Sequence, residues 1–508
     1  MASPSPIPLS EAEQIVELQK ELAWAKLKIQ VLEERLRLER IKKYGPGSEK
    51  LNDAQLQLLD LEPGVSNAEV QAESQREPLP AKPEKPQKRR QHPGRQELPV
   101  GLARVERVIA CTPEQCTCKT CGQAKAVIGY DVSEQLDVKP AQYFVMVTKR
   151  EKRACKHCEE GGVVAAPVPE RIIEKSLVSD RVVIDTVVAK YSDHLPLYRQ
   201  SAILEREAGV EIGRATLDGW VMRVGELLIP LVGVMRRELL AGSYIQADET
   251  PVDVQLHDGR GRNHQAYLWQ YSQPGGGVVF DFCLGRGREG PKEFLGQFEG
   301  ILQTDGYVAY DRVGGPKLVH AGCWAHARRK FFDAVQLNPN DAVATRIVKL
   351  IDELFGIDAV AREEKLDHAA RHVLRQERAK PLVETIRGEV EAARNTCLPS
   401  SALGKAANYT LSQWKKLTRF LEHAELELSN NLAENSMRPV ALGRKNWIHV
   451  GSQKAGPKVA AILSIVESCR RMKIPIRDYL AAVLPGIADV SIQRLAGLTP
   501  AAWASRQQ

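Results

Sequence analysis

QADETPVDV (Gln246–Val254), LQTDGYVAYD (Leu302–Asp311) and NNLAENSMRPVALGRKNW (Asn430–Trp447) each carry an acid where a strand or helix is expected to end. The first two acids, Asp248 and Asp305, follow the apolar runs Tyr-Ile-Gln-Ala and Gly-Ile-Leu-Gln-Thr, which have strand character. The third, Glu434, opens a helix whose flank is rich in Arg and Lys. Carboxylates within about 4 Å of one another repel by roughly 4 kcal/mol per pair at an effective dielectric near 20, so a cluster of three needs cations between them. Hard oxygen ligands select magnesium or manganese. Two such ions about 3.5 to 4 Å apart are suited to phosphodiester chemistry, one beside the attacking oxygen and one beside the leaving oxygen. The order Asp, Asp, Glu therefore points to a divalent-metal phosphoryl-transfer site, against the plain alternative that each is an ordinary surface or capping acid.

Working outward, strands are expected at 243–247, 264–271, 277–284 and 300–304, with a helix at 291–298. This pattern makes a mixed sheet with Asp248 and Asp305 on adjacent strands. After it, CWAHARRKF (Cys323–Phe331) starts a helix bearing His326, Arg328, Arg329 and Lys330. Residues from about 340 to 428 are almost continuously helical in pattern, rich in Ala, Glu, Arg and Leu, and read as an all-helical insertion that delays the third acid. Past Glu434, Arg438, Arg444, Lys445 and Lys454 follow with no acid among them, where Arg444 and Lys445 are placed to position phosphates.

Upstream, Ser179–Arg199, Leu197–Glu207 and Gly213–Leu228 read as helices. The last two, joined by a glycine-containing turn, form either a helix-turn-helix with Arg214 and Arg223 toward DNA or an architectural platform. Cys118-Lys-Thr-Cys121 and Cys155-Lys-His-Cys158 are two CxxC knuckles, whose four thiolates close a structural zinc site with no open position. Cys116 is an alternative to Cys118. Residues 62–100, rich in Pro, Glu, Gln and Lys, read as a flexible linker, since too little apolar surface is present to offset ordering entropy. Its tract Lys82, Lys85, Lys88, Arg89, Arg90 and Arg95 is either a solvated spacer or a DNA contact. Near the start, Ile15, Leu18, Leu22, Ala25, Ile29, Leu32 and Leu36 recur at alternating steps of three and four. That is a coiled-coil seam, read either as a homodimerisation zipper or as an amphipathic helix packed on its own chain.

Composition fits a nucleic-acid partner: 71 Lys plus Arg against 64 Asp plus Glu give a net charge of +7, concentrated in the two tracts described. No apolar run is long enough to span a bilayer, and the first residues lack the pattern of a secretory signal. A membrane role is thus not expected, and a cytoplasmic, nucleoid-associated location is. The cysteine usage, grouped as CxxC pairs, suits metal binding in a reducing compartment.

Together with the acidic stretches, KYSDHLPLYRQ (Lys190–Gln200), GVEIGRATLDGW (Gly209–Trp220), CWAHARRKF and the paired cysteines, the chain resembles the IS-sixty-six-type bacterial insertion-sequence transposases, the TnpC product, almost end to end. The resemblance implies a DDE recombinase with a ribonuclease-H-like core and an acidic triad at Asp248, Asp305 and Glu434. It implies two magnesium or manganese ions, and His326, Arg328 and Arg329 near DNA with Arg438, Arg444 and Lys445. The implied reaction is phosphodiester cleavage at the element ends to free a 3′ hydroxyl, which then attacks target DNA, assisted by small accessory proteins of the same element. A disabled DNA-binding regulator and a nuclease without strand transfer are the alternatives. The expected fold is multidomain α/β. It comprises a coiled-coil helix (10–43), the linker, a zinc-ribbon-like module (101–168) and a helical domain (169–240). A ribonuclease-H-like mixed-sheet core with the helical insertion (241–465) and a helical tail (466–508) follow.

Overall fold

The computed structural model describes residues 142–154, 163–256, 259 and 261–506, and the single positions 19, 22, 26, 29, 123 and 124. The coiled-coil seam, but for those few helical positions, the linker and the four zinc-knuckle cysteines lie outside the described residues. From Val145 onward the elements belong to one unit; of the unit formed by residues 67–144, only 123–124 and 142–144 are described.

Two short strands come first, β1 (Lys152–Ala154) antiparallel to β2 (Val163–Ala165), with Arg153 opposite Val164. Three helices follow: α1 (Asp180–Tyr191), α2 (Leu197–Ala208) and α3 (Arg214–Leu240). Gly209 ends α2 at φ +67°, a left-handed cap that a side chain would strain. The sequence reading ends α3 at Leu228; Pro230, just beyond, removes a backbone donor. The helix instead continues to Leu240, and Leu231, Val232, Val234, Met235 and Leu239 beyond the proline are buried. Their burial outweighs the lost hydrogen bond. Since Leu217, Trp220, Val221 and Val224 are buried too, α3 is a core helix with Arg214 and Arg223 on its exposed side.

The sheet is built from β3 (Tyr244–Val254), β4 (His264–Ser272), β5 (Val278–Cys283), β6 (Ile301–Gln303) and β7 (Val319–Ala321), with α4 (Glu289–Leu295) between β5 and β6. Its order is β5-β4-β3-β6-β7. Pairings β5/β4 and β4/β3 are antiparallel, whereas β3/β6 and β6/β7 are parallel.

Period-two alternation divides β3 and β6 between two cores. Ile245, Ala247 and Leu302 join the cluster formed with α1 to α3 and the C-terminal helices. Tyr244 and Ile301 join a second cluster formed by helices that follow β7. Those helices are α5 (Trp324–Leu337), α6 (Ala342–Glu363), α7 (His368–Leu374), α8 (Lys380–Thr396), α9 (Ala402–Ser412) and the short α10 (Trp414–Leu417). Inside this layer Asp358, 2 % exposed, is held by Arg371 at 3.0 Å and Arg375 at 2.7 Å. Arg375 spends its remaining donors on the carbonyls of Phe420, His423, Ala424 and Leu426, tying the layer to the chain that leaves it.

That chain enters α11 (Asn431–Trp447), then β8 (His449–Val450), which adds to the far end of β3 in parallel. α12 (Gly456–Arg471) is buried along almost its whole length and runs without a break through position 465. It seals the β5 edge: Val278 and Phe280 donate their N–H groups to Ser468 and Ser464 hydroxyls, each at 2.8 Å. An exposed edge would leave those donors as a template for another chain. α13 (Ile476–Val483), α14 (Ile492–Leu495) and α15 (Pro500–Ser505) close the fold, with the Tyr479 hydroxyl donating to Leu498 O at 2.7 Å.

Candidate active site

Asp248 lies in the middle of β3, not at its end, since pairing with β4 continues to Val254. The alternating run Val252, Val254 behind the proline sustains the strand, with Pro251 tolerated within it. In the parallel register Gln246 stands opposite Gln303, the last residue of β6, and Asp248 and Asp305 each follow that pair by two residues. Asp248 falls on the sheet face shared with Tyr244 and Ile301, the face covered by the inserted helices, and the charge of Asp305 bears on it.

Asp305 occupies the turn after β6. Its Oδ1 accepts from Tyr307 N at 2.8 Å, and its carbonyl accepts from the Tyr409 hydroxyl of α9 at 2.6 Å. Gly306 follows at φ +93°, a backbone conformation that a side chain would strain. Glu434 lies in the first turn of α11, where the helix dipole favours a carboxylate. His326, in the first turn of α5, places Nδ1 3.6 Å from Glu434 Oε1.

Electrostatics tie the three acids together. Burial raises the Asp248 carboxyl well above the usual carboxylate range, and the charges of Glu249, Glu434 and Asp305 push it the same way. Glu249, the next residue, points to the opposite sheet face, where Arg286 grips Oε1 at 2.7 and 3.1 Å and Tyr310 donates to Oε2 at 2.9 Å. Its side chain is 2 % exposed, fully partnered and thus structural.

Beneath the acids is a buried amide network. Tyr244 OH donates to Gln303 Oε1; Gln246 Nε2 reaches Tyr244 OH at 2.8 Å, Gln303 Oε1 at 2.9 Å and Ser429 O at 3.1 Å. Gln303 Nε2 donates to Gly322 O at 3.0 Å and Glu427 O at 2.7 Å. Two acid-bearing strands and the lead-in to the third acid are thereby locked together. Sequence reasoning missed this network, though a signal was present: Gln-x-Asp occurs in both acidic stretches, and period two puts each glutamine on the same face as its aspartate.

The basic residues divide into two kinds. Arg328 pairs with Asp352 of α6, and Arg444 donates to Thr250 Oγ1 at 3.0 Å and to Pro251 O, pinning α11 to β3. Arg329, Arg438 and Lys445 are exposed, the last two spaced seven apart on α11 and so on one face.

Comparison with known proteins gives three family matches along the chain. The family described as "Transposase IS66 family" matches residues 175–458, the one described as "zinc-finger binding domain of transposase IS66" matches residues 115–159, and "Transposase C of IS166 homeodomain" matches residues 31–107. The second range contains both CxxC pairs, which supports a zinc site there. The third overlaps the end of the coiled-coil seam and the stretch read as a linker. Uncharacterized protein y4qI of Sinorhizobium fredii (strain NBRC 101917 / NGR234) is 34% identical over 473 residues, 88% of this chain and 84% of the relative. Uncharacterized protein y4jD of the same organism is 33% identical over 427 residues, 81% of this chain and 82% of the relative. Among the described residues no helix is long and apolar enough to cross a membrane. With a match over more than half its length and these relatives alongside, the chain belongs to the IS66 transposase family.

Proposed function

We propose that this protein is a DNA transposase that cleaves a phosphodiester at the ends of its element and joins the freed 3′ hydroxyl to target DNA, with Asp248, Asp305 and Glu434 as its catalytic acids. One observation carries the reading. Asp248 and Asp305 each follow the paired Gln246 and Gln303 by two residues, and the charges of Asp305 and of Glu434, on the helix packed against β3, both bear on Asp248. The strand order, antiparallel through β5, β4 and β3 and parallel through β3, β6 and β7, supports a ribonuclease-H-like core.

The donor set suits hard divalent cations, because three mutually repelling carboxylates offer only oxygen. Magnesium or manganese ions, two in this reading, would be held by Asp248, Asp305 and Glu434, and when bound supply Lewis-acid stabilisation of charge on the phosphate. The chain's own part is positional. β3 holds Asp248 in a fixed strand, Tyr409 clamps the Asp305 backbone, and the amide network sets where α11 begins. His326 stands beside Glu434, while Arg329, Arg438 and Lys445 stand in exposed positions where phosphates would meet them.

The CxxC module holds one structural zinc through Cys118, Cys121, Cys155 and Cys158 and shapes a DNA-binding or assembly surface in this reading. The homeodomain match supports DNA as the partner of the N-terminal region, and a homo-oligomer through the 10–43 helix, accessory proteins of the same element and a nucleoid location complete the proposal. The test is a magnesium-dependent cleavage and strand-transfer assay on duplexes bearing the DNA that flanks the gene. Asp305→Asn should lower cleavage by at least about 10³-fold with DNA binding retained. Wild-type cleavage without joined product overturns the transposase reading in favour of a nuclease, and an active Asp305→Asn variant overturns the site.

A further inference from the structure

A softer donor borders the acids. Cys323 is the N-cap of α5 and fully buried, and His326 follows within the first turn. Cys323 Sγ, a ring nitrogen of His326 and a carboxylate oxygen of Glu434 all lie within 4.8 Å of one another. His326 Nδ1 and Glu434 Oε1, 3.6 Å apart, are both buried atoms without a hydrogen-bond partner. That separation is long for a hydrogen bond. It is close to what two ligands of one tetrahedral ion show, since bonds of about 2.0 to 2.2 Å give an N···O distance of about 3.4 Å.

The sulfur's setting suits the same role: Cys323 is 0 % exposed, and its side chain makes no hydrogen bond that caps the helix it begins. The side chains of His326 and Glu434 are 21% and 27% exposed, although their facing atoms are themselves buried.

We propose that Cys323, His326 and Glu434 form a second metal site, selective for a thiophilic divalent ion such as zinc, whose occupation withdraws Glu434 from Asp248 and Asp305. One thiolate, one imidazole and one carboxylate match zinc and leave a fourth position open, whereas magnesium does not take a thiolate. On binding, the Cys323 S–H bond breaks, its proton passes to solvent and a sulfur–metal bond forms, with no change of oxidation state. The ion is thus an inhibitor that competes for one acid of the hard-metal site. Binding itself is independent of the transposase reading, and the inhibition rests on it.

The test starts from the full-length apo protein titrated with cobalt(II), alongside Cys323→Ser and His326→Gln. Wild type should bind one equivalent more than either variant, with added thiolate-to-cobalt absorption that Cys323→Ser lacks. Equal stoichiometry and equal spectra in all three proteins overturn the site; should Cys323→Ser fail to fold, the comparison with His326→Gln decides. In magnesium-dependent cleavage, zinc should inhibit wild type at concentrations at least about tenfold lower than it inhibits Cys323→Ser. Equal inhibition of the two overturns the competition, while the cobalt stoichiometry is read whether or not the protein cleaves DNA.

Discussion

Gln303 offers the sharpest check on how the acids are held. It is 1% exposed and makes four of the hydrogen bonds in the amide network. Gln303→Leu keeps much of the volume but leaves the Tyr244 hydroxyl proton, Gly322 O and Glu427 O without their partner. Gln246 Nε2 suffers less, because Tyr244 OH and Ser429 O remain. Three buried orphans at about 2 kcal/mol each, within a range of about 1 to 3, are offset by about 2 kcal/mol for the buried leucine and give a net loss of about 4 kcal/mol, within a range of about 1 to 7. Denaturant unfolding followed by tryptophan fluorescence reads this directly, since Trp269 and Trp324 are fully buried on the two sides of the sheet. Adding Tyr244→Phe should cost less than the two single losses combined, because removing both partners leaves fewer orphans. A Gln303→Leu variant within about 1 kcal/mol of wild type, or strict additivity with Tyr244→Phe, refutes the network as the element that sets the acids.

Asp358→Ala should destabilise the inserted helices by about 3 to 5 kcal/mol, because Arg371 and Arg375 are left as buried charges without their shared acid; calorimetric unfolding measures it. Asp248 gives a pH signature. Its folded-state carboxyl is raised by burial and by Glu249, Glu434 and Asp305, so its contribution to stability is fully present below the ordinary carboxylate range and is lost as pH rises above it. In chelator, Asp248→Asn should therefore melt higher than wild type at neutral pH and match it near pH 4, and magnesium should raise the wild-type melting temperature more than the variant's. A melting difference that does not change with pH contradicts the electrostatic account of the site.

Much of the sheet was legible because alternation and glycine breaks mark strands locally. Segments 264–271 and 277–284 contain nearly all of β4 and β5, and the two aspartates were expected on neighbouring strands. Local signals failed where tertiary packing overrode them. The helix expected over Gly213–Leu228 runs through Pro230, and five buried apolar residues beyond the proline carry α3 onward. Asp248 reads as a strand end, yet pairing with β4 carries β3 six residues further, to Val254. Glu434 is a different case. Its residue type and helical setting are visible in the sequence, but its arrival beside Asp248 follows from side chains on β3 and β6 binding main-chain carbonyls of Glu427 and Ser429. Those acceptors are present whatever side chains stand at 427 and 429. The partner that brings the third acid home therefore leaves no mark of residue type in its own segment, and only the paired Gln-x-Asp on the strands records that something there must be held.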